Sequence, residues 1–126
     1  MTRKPSSSFA KAKSGVVPKS DQDAGGVVRV AAIQMASGPN VPANLAEAAR
    51  LIELAVAAGA KLVALPENFA LMGLKESDKV TQREAPGKGP IQKFLASQAK
   101  KHGIWLVGGS VPMECENARK VYQSCL

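Results

Sequence analysis

The strongest chemical signal in the chain is a glutamate that directly follows an apolar segment. Residues 62–70 read Leu-Val-Ala-Leu-Pro-Glu-Asn-Phe-Ala, so a strand-like run ends in Pro66 and then presents Glu67. Removing an ionised carboxylate from water is costly unless the group is paired. Glu67 is therefore either paired for structure or placed for proton transfer. The local pattern alone favours an ordinary turn residue, whereas the end of a buried strand before a long loop favours catalysis.

Other residues with chemical potential give weaker signals. Residues 87–90, Gly-Lys-Gly-Pro, superficially suggest a phosphate loop, but Gln82 and Gly89 stand where the motif needs glycine and serine or threonine. We interpret this segment as a turn that leads into a helix. Residues 108–110, Gly-Gly-Ser, either supply backbone N–H groups to an oxyanion hole or mark close backbone packing, and the second is more common. His102 is interpreted as a cation at a helix end rather than a catalytic base.

The two cysteines give no sign of nucleophile or metal chemistry. Cys115 lies in a polar segment and Cys125 in an apolar one, and no CxxC pair or histidine at metal spacing accompanies them. Nothing nearby would lower a thiol pKa, so we expect Cys125 to be a buried core residue. They could form one disulfide, but no secretion signal supports an oxidising compartment. A reduced, cytoplasmic chain is the default, with an organelle transit peptide as the less favoured alternative.

The elements that must position Glu67 follow from hydrophobic spacing. Residues 27–35 predict a strand covered on both faces. A helix begins near Pro42, with Asn44 and Glu47 loosely matching a capping box, and it ends before Gly59. A second strand spans residues 61–65, and residues 66–90 form a long loop.

The remaining residues predict a helix and two strands. The helix covers residues 90–102, ends at Gly103 and carries Lys100, Lys101 and His102 in its last turn. Strands follow at residues 104–111 and 120–126. The order β-α-β-loop-α-β-β predicts an α/β sandwich with a mostly buried sheet.

Composition limits the class of protein. The 126 residues suffice for one domain with ordinary hydrophobic content, 45%. No apolar run is long enough for a membrane helix. The formal net charge of the chain is +7, and we predict residues 1–26 to be a disordered basic tail. The cations of this tail are Arg3, Lys4, Lys11, Lys13 and Lys19. Such a tail touches phosphates non-specifically at most, so no specific nucleic-acid partner is expected.

Taken together, the segments from residue 27 to residue 126 resemble the amino-terminal portion of the nitrilase superfamily of carbon–nitrogen hydrolases. The matching stretches are Val30-Ala31-Ala32-Ile33-Gln34-Met35, Asn44-Leu45, residues 59–69, Trp105-Leu106-Val107-Gly108-Gly109-Ser110 and Val121-Tyr122-Gln123-Ser124-Cys125. Residues 65–73 look most like the branch that acts on omega-amides and deaminated glutathione. The resemblance implies a partial, truncated nitrilase-type α-β-β-α sandwich, a small amide substrate, a homo-oligomer and no cofactor or metal.

The resemblance also implies a Glu-Lys-Cys triad in which the cysteine attacks an amide or nitrile carbon. The lysine stabilises the oxyanion, and the glutamate is the general base. Glu67 matches the family's glutamate, whereas Cys115, Cys125, Lys88 and Lys120 match neither of the other two positions. We therefore expect the 126 residues alone to lack activity, to expose apolar faces and to be marginally stable or to associate. Two alternatives are a non-catalytic binding or regulatory remnant of the fold and a nucleic-acid binder that uses the basic tail.

Overall fold

The computed structural model describes residues 26–126, and the tail predicted for residues 1–26 lies outside this range except for Gly26. The elements in chain order are β1 (Val30–Ala32), α1 (Val41–Ala57), β2 (Leu62–Leu65), α2 (Glu76–Thr81), α3 (Pro90–His102), β3 (Trp105–Gly108), β4 (Val111–Met113) and β5 (Tyr122–Ser124). Within the described residues, no helix is both long and apolar enough to cross a bilayer.

Three parallel strands form the central sheet in the order β1-β2-β3. Ala31, Val63 and Leu106 are register partners on the three strands. Val63 is a core residue, and Ala31 and Leu106 pack against the core. The helices α1 and α3 contact this sheet. Helices connect β1 to β2 and β2 to β3, as expected because parallel strands need a long crossover connection. The predicted α/β arrangement of sheet and helices is therefore present.

The second face of this sheet corrects the prediction of a mostly buried sheet. Val30, Leu62 and Trp105 form the neighbouring row, and Val30 and Trp105 are 63% and 79% exposed. The strand predicted over residues 27–35 is also shorter, and Val28 is exposed as well. The apolar sequence is that of a strand covered on both faces, but the described residues place helices against only one face.

The predicted third strand is divided. Residues 104–111 were expected to run as one strand, but β3 ends at Gly108 and Val111 opens β4 in a separate sheet. Gly109 between them has a φ of 42°, which extended strands do not adopt. β4 pairs antiparallel with β5, and this pair forms the second sheet. The strand expected over residues 120–126 is shorter and comprises only β5.

Both predicted long helices are present, and their ends explain why they form. The predicted cap at Asn44 is wrong, because Asn40 is the N-cap of α1 and its side chain accepts a hydrogen bond from Ala43 N at 3.0 Å. Asn44 lies inside the helix and is buried. Gly59 follows the end of α1 with a φ of 89°, and Gly103 ends α3 in the left-handed conformation, as predicted.

The segment predicted as a continuous loop over residues 66–90 contains the short helix α2. The Asp78 side chain accepts hydrogen bonds from Leu74 N at 2.8 Å and from Lys75 N at 3.0 Å. These bonds satisfy backbone donors at the helix start, and the carboxylate lies at the end that favours negative charge. Six residues without apolar periodicity give no helix signal in sequence, so capping rather than core packing explains this element.

Candidate functional site

Glu67 lies in the turn that follows β2. Leu65, Phe69 and Ala70 around it are buried, but the Glu67 side chain itself is exposed. Among residues 26–126 its carboxylate has no hydrogen-bond or ion-pair partner. Of the two alternatives for Glu67, pairing for structure is therefore not found within the described residues. The backbone of this turn is held against the core while the carboxylate faces outward.

The backbone of this turn is tightly folded. Asn68 has a φ of 57°, in the left-handed region that asparagine tolerates better than most residues. Phe69 N donates to Pro66 O at 3.2 Å, and Leu71 N donates to Asn68 O at 3.1 Å. These two local hydrogen bonds fix the backbone of the turn and therefore the direction in which the Glu67 side chain projects.

The segment before α1 and the first turn of α1 hold the turn on one side. Ser37 Oγ donates to Phe69 O at 2.8 Å, and the buried Asn44 donates from Nδ2 to Ala70 O at 2.8 Å. Asn44 also binds both backbone groups of Gly38, with Nδ2 2.7 Å from its O and Oδ1 3.0 Å from its N. These bonds satisfy backbone groups that the apolar surroundings would otherwise leave without water.

The segment between β3 and β4 holds the turn on the other side. Asn68 N donates to Ser110 Oγ at 2.9 Å. A Cβ atom at Gly109 would overlap the carbonyl of Pro66, so only glycine allows this close approach. Of the two interpretations of residues 108–110, the structure supports close backbone packing.

Two long side chains converge on the residue next to Glu67. Lys79 Nζ donates to Asn68 Oδ1 at 2.9 Å, and Gln123 Nε2 donates to the same oxygen at 3.2 Å. The first bond connects α2 to the Glu67 turn, and the second connects β5 to it. Sequence reasoning missed Lys79, because α2 lacks the periodicity that would have placed it on an element.

The other candidate residues do not gather around Glu67. Cys115 is half-buried, with Sγ 3.4 Å from Asn117 O, while Cys125 is exposed. The prediction that Cys125 belongs to the core is wrong, because Cys125 is exposed and follows β5, whose residues Tyr122 and Gln123 are exposed as well. Lys88 and Lys120 are exposed, and neither contacts Glu67 through a hydrogen bond or an ion pair.

The buried carboxylate in the described part of the chain is Glu84, which sequence reasoning missed. Its oxygens accept from Ile91 N at 2.6 Å and from Gln92 N at 3.0 Å, at the start of α3. A Cβ atom at Gly89 would overlap this carboxylate. Residues 87–90 therefore form a turn into a helix, as predicted, and an acid shortly before a Gly-Pro helix start is the signal that could have found Glu84.

His102 lies in the last turn of α3 with Lys100 and Lys101, as predicted. Lys101 Nζ forms an ion pair with Glu53 of α1 at 2.8 Å. This hydrogen bond holds the pKa of the Glu53 carboxyl below its ordinary value. None of these groups belongs to the Glu67 turn.

The comparisons with known proteins agree with this fold. The family described as Carbon-nitrogen hydrolase matches residues 29–126. The chain is 45% identical over 82 residues to a deaminated glutathione amidase of Synechocystis sp., covering 65% of this chain and 29% of that protein. It is 36% identical over 98 residues to omega-amidase NIT2-B of Xenopus laevis, covering 77% of this chain and 34% of that protein.

A solved structure shows the same likeness. Saccharomyces cerevisiae Nit3, described as a member of branch 10 of the nitrilase superfamily, superposes with a TM-score of 0.60 at 33% identity. The match covers 69% of this chain and 34% of Nit3. The parallel sheet with its helices is thus part of a nitrilase-type fold. The chain belongs to the carbon–nitrogen hydrolase family and spans about a third of the length of these relatives. The resemblance to the amino-terminal part of the nitrilase superfamily and the partial nitrilase-type fold are both confirmed.

Proposed function

We propose that this chain supplies the general base of an enzyme that hydrolyses a carbon–nitrogen bond in a small amide. The observation that supports it most is Glu67, which follows the second strand at the position that resembles the family's glutamate. Hydrogen bonds from three neighbouring segments hold its turn, while its carboxylate is exposed and unpaired among the described residues. A carboxylate on a rigid backbone is suited to accept a proton from a nucleophile brought beside it.

In the proposed reaction Glu67 accepts the thiol proton as sulfur attacks the amide carbon. A lysine stabilises the resulting oxyanion, and ammonia leaves with a proton returned by the glutamic acid. Glu67 then accepts a proton from water as the water attacks the thioester, and it returns this proton to the sulfur when the carboxylic acid leaves. Cys115 and Cys125 do not match the nucleophile, and Lys88 and Lys120 do not match the lysine.

The 126-residue polypeptide is therefore expected to be inactive by itself. Removing the nucleophile of a triad enzyme costs on the order of a million-fold in kcat, or about 8 kcal/mol of barrier. Glu67 alone cannot compensate for such a loss.

The test compares the chain alone with the chain completed by a relative. In a chimera, residues 29–126 replace the corresponding segment of the Synechocystis deaminated glutathione amidase. We expect the chimera to hydrolyse deaminated glutathione and the isolated chain to release no more product than its Glu67→Ala variant. Turnover by the isolated chain above that control would contradict the proposed inactivity, and a folded chimera without activity would contradict the proposed function.

A further inference from the structure

A cleft of about 590 Å³ lies between α2 and the segment that joins β4 to β5. Lys75 and Lys79 line it from the α2 side, and Arg119 and Lys120 line it from the opposite side. Glu67 does not line this cleft, although two of its lining residues, Lys79 and Gln123, donate hydrogen bonds to the neighbouring Asn68. The cleft is open and large enough for a small organic molecule.

The charge of the cleft is strongly positive. Four cationic side chains face one carboxylate, that of Glu76. The ion pairs found within residues 26–126 are Arg50 with Glu47 and Lys101 with Glu53, so the four cations of the cleft have no ion-pair partner there. Like charges that share a concave surface repel one another and attract anions. An anion in the cleft would relieve this repulsion.

The two walls are held at a fixed separation. Arg83 donates from one guanidinium nitrogen to Val80 O of α2 and to Ala118 O of the opposite segment, each at 3.0 Å. Lys79 is fixed in turn by its hydrogen bond to Asn68 Oδ1. The backbone segments that carry the cations are therefore already in place, and a ligand need not order them on binding.

Apolar side chains complete the lining. Met72 and Leu74 are 48% and 82% exposed, and Val121 stands beside the cationic residues of its own segment. Exposed apolar groups next to unpaired cations favour a ligand that has an anionic group and a short hydrocarbon body.

We propose that this cleft is a binding site for a small organic anion, a carboxylate or a phosphate, whose charged group lies between the lysines of α2 and the Arg119–Lys120 pair. The inference goes beyond the proposed function and does not depend on the role of Glu67.

The test is a titration of the 126-residue protein, followed by isothermal calorimetry and by amide NMR shifts. Adipate, a six-carbon dianion, is compared with inorganic phosphate and with 1,6-hexanediol, which has a similar length and no charge. We expect adipate to bind with shifts concentrated at residues 72–80 and 119–123, and hexanediol not to bind. Phosphate binding as tightly as adipate would identify a phosphate group as the ligand chemistry of the same site. Absence of binding by both anions would overturn the proposal.

Matched variants separate the cleft from the general charge of the chain. Arg119→Gln/Lys120→Gln removes two cations from the cleft, and Lys61→Gln/Lys100→Gln removes two exposed cations elsewhere. We expect the first pair to weaken adipate binding roughly tenfold or more, because charge-assisted hydrogen bonds are lost, and the second pair to have little effect. Equal weakening by both double variants, at unchanged circular dichroism, would show non-specific attraction and overturn the proposal.

Discussion

At the residue scale, the turn after β2 is defined by two residues that carry no reactive group. Asn68 takes the left-handed conformation and connects to Lys79, Gln123 and Ser110. Gly109 allows the backbone of the β3–β4 segment to touch Pro66. The direction of Glu67 therefore depends on neighbours that lie far away in sequence.

The close approach at Gly109 makes a specific prediction about stability. Gly109→Ala places a methyl group against the Pro66 carbonyl, so we expect a loss of more than about 3 kcal/mol. Gly87→Ala is the matched control, because Gly87 also has a positive φ but faces open space. Only the conformational cost of about 1–2 kcal/mol is expected there. Urea unfolding measures the loss of unfolding free energy in both variants. Equal losses would show that the close contact with Pro66 adds nothing to the cost of the substitution.

The sequence predicted the candidate residue but not its surroundings. Glu67 stands out because a proline and an acid end an apolar run, a signal that is local in the chain. Its exposure and its lack of a partner depend on which elements pack around the turn, and no local pattern contains that information. Ser110 and Lys79 were missed as its neighbours for the same reason, since each lies on a segment that only the fold brings near.

At the element scale, α1 and α3 form one layer, and the Glu53–Lys101 pair connects them at the surface. Both helices were predictable because apolar spacing, proline near the start and glycine at the end agree. The break between β3 and β4 was not predictable in this way. Residues 104–107 are apolar and Val111 follows after Gly108, Gly109 and Ser110, so one strand over residues 104–111 was predicted. The contact with Pro66 explains why Gly109 leaves the strand.

The Glu53–Lys101 pair predicts a pH dependence of stability. The Lys101 hydrogen bond lowers the pKa of Glu53 in the folded chain from its ordinary value of 4.5. The ion pair therefore contributes to stability above the ordinary pKa of 4.5, and this contribution is lost as the pH falls through the lower pKa of the folded chain. We expect Glu53→Gln to reduce the difference in urea midpoint between pH 7 and pH 3. The effect should be small and weakened by salt, because both side chains are exposed.

Glu114→Gln is the control for this experiment, because Glu114 is exposed and has no ion-pair partner in residues 26–126. A reduction of the same size in both variants would show that loss of any negative charge, rather than the helix-to-helix pair, changes the acid sensitivity.

At the scale of the whole molecule, the sheet has one face packed by helices and one apolar face that no other element of residues 26–126 covers. Val30, Leu62 and Trp105 share a row on the open face, and Ala32, Ala64 and Val107 form the next row. Contiguous apolar surface of this kind promotes association in water. The sequence correctly indicated strands with apolar residues on both faces, but it could not show which face the described helices cover.

This open face predicts how the isolated chain behaves in solution. We expect concentration-dependent self-association in analytical ultracentrifugation, and we expect Trp105→Lys to reduce it by placing a charge on this face. Leu54→Lys is the matched control, because Leu54 is an exposed residue of α1 in the helix layer. Association that is unchanged by Trp105→Lys, or reduced equally by Leu54→Lys, would show that the sheet face does not drive it.

The most direct test of the account is the effect of Glu67 on turnover in the chimera with the Synechocystis amidase. Glu67→Gln keeps the size of the side chain and removes its basicity, so we predict that kcat falls by about a hundredfold to ten-thousandfold. Glu116→Gln, an exposed acid outside the turn and the cleft, should leave kcat unchanged. A folded Glu67→Gln chimera that turns over as fast as the Glu116→Gln chimera would contradict the role assigned to Glu67.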